Sequence, residues 1–493
     1  MGRVTDSSGA VVPKAAITVT NMSTGTAIKA EAADNGNYTV PFLFPGTYRV
    51  AVQVPGFKAF VREGIRVQVQ DRIVIDVELQ PGAVAETVLV KAEAPLLETG
   101  TASVGQVVEQ VKIINLPLNG RNPYLVARIA PGIVPTDNRS FARPFDNGAT
   151  SSVSMGGNPT RSNDVLLDGI PNVDVTNQIA FIPSVEAVQE LKVQTNTYDA
   201  EFGRAAGGVI NVTVKSGTNQ FHGSLHEFWR NDILEANNFF NNRVGAGKPV
   251  QRFNMFGANA GGPLIIPRIY NGRNRTFLFG SWESIRQSDP TSLVDTVPTR
   301  EQRTGDFSRT LDGRGRPLPI FDPFTTRANP DRPGSFLRSA FAGNVIPRER
   351  MDPVALKILD MFGQPNQPGL PFSEEDNFFW SGSSPDDYDA FITRLDHNFT
   401  ERQRLFLRLS ASRRPRLGDD DIFGTLATQS RFLNRISRGA ALDYVNTLGP
   451  RLLLNVRYGL VRFGNITEYL PRDFQLTSVG FPAALSRQVL EQQ

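Results

Sequence analysis

Arg402-Gln403-Arg404-Leu405-Phe406-Leu407-Arg408-Leu409-Ser410-Ala411-Ser412 decides the reading of this chain. On an extended backbone Leu405, Leu407, Leu409 and Ala411 share one face; Arg404, Arg408, Ser410 and Ser412 share the other, with Phe406 the exception. Arg451 to Phe463 repeats the pattern: Leu452, Leu454, Val456, Tyr458 and Leu460 face one way, Asn455 and Arg457 the other. A water-soluble sandwich turns such an apolar face inward. A transmembrane barrel turns it toward lipid and keeps the polar face for the lumen. Alternation alone leaves both open, but run length favours the barrel. These runs reach 11 and 13 residues, whereas strands of soluble proteins average about 5–6.

Working outward, the rest of the chain is also strand-rich. Short alternating runs are separated by Gly, Pro and Asn turns, and long helical periodicities are scarce. The 493 residues suffice for three or four domains. With 52 Lys plus Arg against 49 Asp plus Glu, the net charge of +3 and the lack of any basic run give no support for nucleic-acid binding. The absence of Cys excludes disulfides and thiolate metal sites. No stretch reaches the roughly 18 apolar residues of a membrane helix, but barrel strands need no such stretch. Met1 is followed at once by a strand-and-turn pattern with no secretory leader, so a true start upstream is expected.

Residues 1–81 carry strand runs at 16–20, 26–30, 37–40, 47–52, 65–69 and 73–79, punctuated by Asp34-Asn35-Gly36, Pro45-Gly46 and Pro55-Gly56. About seven short strands so spaced predict a Greek-key sandwich. Gly2 to Pro13, Asp34 to Tyr38, Pro45 to Tyr48 and Val54 to Phe57 resemble the carboxypeptidase regulatory-like, transthyretin-like domain. A zinc carboxypeptidase needs His-x-x-Glu and a distant His. The three histidines, His222, His226 and His397, do not supply it. A structural or weakly carbohydrate-binding module is expected.

Residues 82–217 change character. Glu86-Thr87-Val88-Leu89-Val90 is a short β-prone segment without an obvious partner, Val107–Lys112 reads as a short helix, and a second follows Leu116–Asn122 and stops at Pro131-Gly132. Leu116-Pro117-Leu118-Asn119-Gly120-Arg121-Asn122, Asn163 to Ile170, Ser184 to Val193 and Tyr198 to Gly217 together resemble, in order and spacing, the plug of Oar-like TonB-dependent receptors. The resemblance implies a plug motif that includes Asn119, Gly120, Arg121, Asp168, Gly169, Glu201, Gly203 and Arg204. It also implies a TonB box at 86–90. Gly203, Gly207 and Gly208 are expected where backbone must bend or approach closely. No strand–glycine loop–helix supports a phosphate loop. Asp168 before Gly169 is expected to bond its own turn rather than a metal or substrate.

Residues 218–493 read as a barrel sheet. His222 and His226 would share a strand face about 13 Å apart at ~3.3 Å per residue, too far to chelate one ion, so a lumen-facing polar row is expected and no metal. Between about 289 and 385 lie thirteen of the 34 prolines, which predicts a long loop without strands. By the resemblance it is external, near the substrate entrance. About seven barrel strands are legible, against about 22 in plugged outer-membrane transporters. The rest of the barrel is therefore expected outside this chain, and Leu490-Glu491-Gln492-Gln493 is not the terminal aromatic strand the family implies.

The expected fold class is thus mainly β: a transthyretin-like sandwich, an α+β plug, and the first third of a transmembrane antiparallel barrel. The resemblance implies an outer-membrane receptor with sandwich and plug toward the periplasm. It would import a scarce nutrient (siderophore, vitamin, carbohydrate or peptide) and have as partners the TonB energy-coupling complex, outer-membrane lipid and an extracellular ligand. No cofactor and no catalysis are implied, and no Gly-x-Ser-x-Gly motif suggests a hydrolase. The alternative is a non-transporting surface adhesin with a carbohydrate-binding sandwich.

Overall fold

The computed structural model describes all residues except 84–86, 92–104, 138–141, 196–197, 199–200, 204–205, 244, 246, 249, 418–429, 450–451, 471–474 and 491–493. In the N-terminal part, strands β1 (Gly2–Asp6), β2 (Ala16–Asn21), β3 (Ala27–Glu31), β4 (Asn37–Tyr38), β5 (Gly46–Gln53), β6 (Ala59–Val67), β7 (Val77–Leu79) and β8 (Thr87–Lys91) form two sheets, ordered β4-β1-β7 and β3-β2-β5-β6-β8. Period-2 alternation puts Ile17, Val19, Tyr48, Val50, Val52 and Ile65 between them, all buried. Each such side chain contributes about 1.5–3 kcal/mol, enough to fix the register.

The plug is built on a five-stranded sheet in the order β13-β12-β15-β14-β9, from β9 (Gly105–Glu109), β12 (Asp164–Leu167), β13 (Ile170–Pro171), β14 (Val188–Thr195) and β15 (Gly208–Val214). Strands β10 (Ile133–Pro135) and β11 (Val153–Met155) make a separate hairpin. The expected helix at Val107–Lys112 is only half right. Val107 to Glu109 pair with Leu191, Val108's partner, and its neighbours as strand, and α1 begins at Gln110 and ends at Asn115. The second expected helix is a 3-10 segment, Pro123–Ile129, started by Asn122, whose carboxamide oxygen accepts the Tyr124 N–H.

The remaining large sheet is antiparallel and seven-stranded, in the order β16-β17-β20-β23-β24-β25-β26. Its members are β16 (His222–Asn231), β17 (Arg252–Pro263), β20 (Thr276–Asp295), β23 (Phe378–Thr400), β24 (Gln403–Leu417), β25 (Ser430–Gly449) and β26 (Leu452–Leu470). A small hairpin, β18 (Ile265–Ile266) with β19 (Tyr270–Asn271), interrupts one turn, and β21 (Arg327–Ala328) with β22 (Phe336–Leu337) decorates the long loop.

The sheet is inside out by the standard of a soluble protein. Leu409, Leu452 and Leu460 are 51%, 61% and 57% exposed, whereas Arg394 and Arg408 are 2% and 1% exposed. Alternation left two readings open, and this orientation selects the lipid-facing one. Phe406, the exception in the pattern, points inward with the arginines and packs on Phe44 of the sandwich, ring centres 6.1 Å apart.

The strand-free segment expected at 289–385 is shorter than that. β20 runs on to Asp295 and β23 begins at Phe378, with Pro290 opposite Ser383 and Pro385 opposite Ser288. Proline excluded strand in the sequence reading because it removes a donor. Pro290 of β20 lies beyond the last residue paired with β17, and Pro385 of β23 lies one residue outside the pairing with β24, so each has a side on which a missing donor breaks no ladder. The loop proper is 296–377, and it is folded. Asp352 caps the helix Pro353–Leu359, and the buried Arg303 guanidinium donates to the carbonyls of Pro298, Leu359, Phe362 and Gly363.

Candidate functional site

The turn after β23 is tight and Gly449 of β25 pairs with Leu452 of β26 at the same end, whereas the long connections 232–251 and 296–377, with Leu417 of β24 and Ser430 of β25, lie at the opposite end. In outer-membrane barrels short turns are periplasmic and long loops external. The sandwich docks at the short-turn end: Lys29 pairs with Glu401 at 2.9 Å, and Arg404 donates to the Pro41 carbonyl at 3.3 Å. The plug lies against the polar inner wall. Among the described residues it is held there by side chains, and no plug strand joins the wall's ladder.

Asp168 is the centre of that grip. It adopts φ +54° at the tip between β12 and β13. The expectation that its carboxylate bonds its own turn is corrected. The Gly169 N–H goes instead to the Asn211 side-chain oxygen at 3.0 Å. Asp168 accepts the Val214 N–H at 2.9 Å and ion-pairs with Arg394 at 3.3 Å and Arg408 at 3.0 Å. Two arginines buried on adjacent strands demand a counter-charge, and that demand outweighs a local turn bond. Arg394 is also clamped by Asp396, and stacks over Phe44 and Phe406 at 4.6 Å each. A second buried pair, Arg414 with Asp386 at 2.5 Å, lies under Phe145 of the plug, ring centre 4.0 Å away.

The Leu116–Asn122 motif meets β16. Asn119 accepts from Arg230 at 3.1 Å. Arg121, at φ +51°, stacks over Phe228 at 4.1 Å and donates to Glu186. Gly120, at φ +85°, turns the chain between them. Glu201 lines a cavity of about 460 Å³ bounded by sandwich, plug and wall, with Phe44, Asp168, Arg404 and Phe406 also on its surface. Arg204 lies outside the described residues, as does Glu86. Among the described residues nothing lies near the place of a Cβ at Gly203, so of the expected bend or close approach the latter is not seen there. At Gly208 a Cβ would lie 2.6 Å from the Gln194 carbonyl, so the approach is real.

The segment expected to lack a partner has one. β8 pairs in parallel with β6, Val88 opposite Phe60 and Leu89 opposite Val61, and so extends the sandwich sheet past Pro81. Its β-branched residues favour extended backbone, and the nearest unpaired ladder is that of β6. As the last strand of the sheet, β8 keeps its outer edge unpaired among the described residues.

An inside-out sheet that buries charge against an inserted α+β domain defines a plugged outer-membrane barrel protein. Residues 213–492 match the outer membrane beta barrel domain family, and the chain belongs to it; residues 1–80 match the carboxypeptidase regulatory-like domain. The chain is a homologue of TonB-dependent transporters. It is 30% identical over 248 residues to the TonB-dependent transporter Oar of Myxococcus xanthus, covering 48% of this chain and 22% of that protein. It is 27% identical over 210 residues to a probable TonB-dependent siderophore receptor, PirA, of Acinetobacter baumannii, covering 39% and 25%. The chain thus spans about a quarter of the length of these curated relatives. Among solved structures, the outer membrane transporter YddB from Escherichia coli aligns with TM-score 0.45 and 12% identity over 74% of this chain and 40% of that one.

Proposed function

We propose that this chain is part of a TonB-dependent receptor that takes up a scarce nutrient across the outer membrane by energised displacement of the plug. The observation that carries the proposal is the grip itself: among the described residues buried ion pairs hold the plug to the wall while no backbone ladder does, so it can be released without unmaking the sheet. The regulatory-like sandwich and plug face the periplasm, and the folded loop 296–377 receives the ligand outside. In this reading the protein acts by binding and movement. Asn119, Gly120, Arg121, Asp168, Gly169, Glu201, Gly203 and Arg204 belong to the plug in this reading, and Asp168 and Arg121 carry its contact with the wall.

Residues 86–90 are the proposed coupling segment. β8 is an edge strand, and an edge can accept a partner strand through main-chain hydrogen bonds. Val88→Pro removes a donor and breaks the β geometry, whereas Val88→Thr keeps both. In full-length protein, Val88→Pro is expected to bind ligand normally and fail in energised uptake, with Val88→Thr close to wild type. Normal uptake by Val88→Pro would exclude this segment as the coupling element.

A further inference from the structure

Three side chains converge where the plug meets β16 and β20. His226 and Glu283 lie on one rung of the wall, separated only by Gly257: His226 is opposite Gly257 on one side, and Gly257 is opposite Glu283 on the other. Because the middle residue has no side chain, the imidazole and the carboxylate lean together over it. A Cβ at Gly257 would sit 2.8 Å from His226 Nε2 and 2.5 Å from the Trp282 carbonyl. Glu186, on the plug's 3-10 turn Val185–Ala187, closes the space from above.

The three donor groups lie close together without bonding one another. His226 Nε2 lies 3.7 Å from Glu186 Oε2 and 3.8 Å from Glu283 Oε2, too long for hydrogen bonds. One donor atom from each residue falls within 4.8 Å of the others. Two ligands bound tetrahedrally at about 2.1 Å stand about 3.4 Å apart, so a small contraction completes the set. Glu283 is 1% exposed, and neither of its oxygens has a hydrogen-bond partner. Both His226 nitrogens and Glu186 Oε2 are likewise buried and unpartnered. Arg121 engages the other Glu186 oxygen, which leaves Oε2 turned toward the imidazole. Arg121 offsets one of the two carboxylates, and among the described residues the second faces no Lys or Arg at contact distance.

We propose that Glu186, His226 and Glu283 bind a borderline divalent transition-metal ion of the Zn²⁺ class, which ties the plug to the barrel wall. One imidazole with two carboxylates suits Zn²⁺ and its neighbours. Mg²⁺ and Ca²⁺ prefer an all-oxygen shell, and Ca²⁺ a larger one, so an imidazole donor favours neither. Water completes the coordination. His222 and His226, on one strand, lie too far apart to share an ion. The donors that matter come from a strand two places away in the sheet and from another domain, which no sequence spacing displays.

The inference is independent of what the receptor imports, and its test needs no transport. The full-length protein, purified in detergent and stripped with chelator, is titrated with Zn²⁺, Mg²⁺ and Ca²⁺ in turn. One Zn²⁺ per chain is expected, with no saturable binding of the other two. Glu283→Gln, which keeps shape, and His226→Gln are each expected to weaken Zn²⁺ binding at least about 100-fold, while His222→Ala leaves it unchanged. Zn²⁺ is also expected to protect the wild-type plug from proteolysis. Failure of the wild type to bind one Zn²⁺ overturns the proposal, as does binding that survives both Glu283→Gln and His226→Gln. Loss of binding in His222→Ala alone would place the ion elsewhere and overturn it too.

Discussion

Asp168 shows what a single charge does at the plug–wall interface. Its carboxylate is shared by Arg394 and Arg408, both almost fully buried. Removing one partner of a buried pair leaves an uncompensated charge and costs about 3–5 kcal/mol. Asp168→Asn preserves volume and is expected to loosen the plug by that order. The sequence has no Cys, so Ser184→Cys, placed where Ser184 touches Ser281 at 3.0 Å, reports the change without background. Thiol labelling of this site should be faster in the Asp168→Asn background, and equal rates would refute the role. The sequence displayed Asp168-Gly169 as a turn, which is correct for the backbone. It could not display the arginines more than 200 positions away that decide where the carboxylate points. Arg404 and Arg408 were legible as a polar face, because alternation is a local property.

At the scale of elements, the loop 296–377 earns its order from satisfied backbone rather than from a large core. Arg303 supplies donors to four carbonyls that would otherwise be stranded at the loop's base. Hydrogen bonds from a charged donor are worth about 1.5–3 kcal/mol each when the acceptors are left unsatisfied. Arg303→Ala is expected to open the loop to protease while plug and sheet stay intact; unchanged digestion within 296–377 would count against that account. Prolines announced this loop in the sequence. Its ends were misjudged because strand pairing depends on the neighbouring strands, and Pro290 and Pro385 each fall where one neighbour of their own strand is no longer paired.

For the whole molecule, the sandwich is the part whose attachment responds to pH. Glu190 of the plug is buried under the sandwich loop and accepts the Val69 N–H. Burial, reinforced by Asp71 and Glu109 and opposed by Lys192 and that hydrogen bond, pushes its carboxyl up to about 8. When the sandwich separates, Glu190 returns toward its ordinary value of 4.5. The docked state therefore holds a proton that the undocked state releases. This contribution to docking is complete below pH 4.5 and is lost as pH rises to about 8. Energy transfer between dyes on sandwich and plug should fall across that window. Glu190→Gln should flatten the profile, and a variant that keeps the wild-type slope would assign it to another group. The sheet itself is open, with β16 and β26 at its edges. Unpaired edges in lipid cost several kcal/mol per group. This 493-residue chain by itself should show none of the heat-modifiable gel migration of closed barrels; such migration would indicate that copies close one barrel together.

The place of β9 has a mechanical consequence. It is the outermost strand of the plug sheet, bonded on one side only, to β14. In chain order it follows β8, so tension applied there reaches the plug first at Gly105, one end of that strand. A load that peels that end away from β14 opens the bonds one at a time, as a zip does, whereas a load along the strand would shear all of them together. Under a peeling load on the proposed coupling segment, the force needed is that of a single rung, and the plug would yield progressively from its margin while β12 and β15, deeper in the sheet, keep their register.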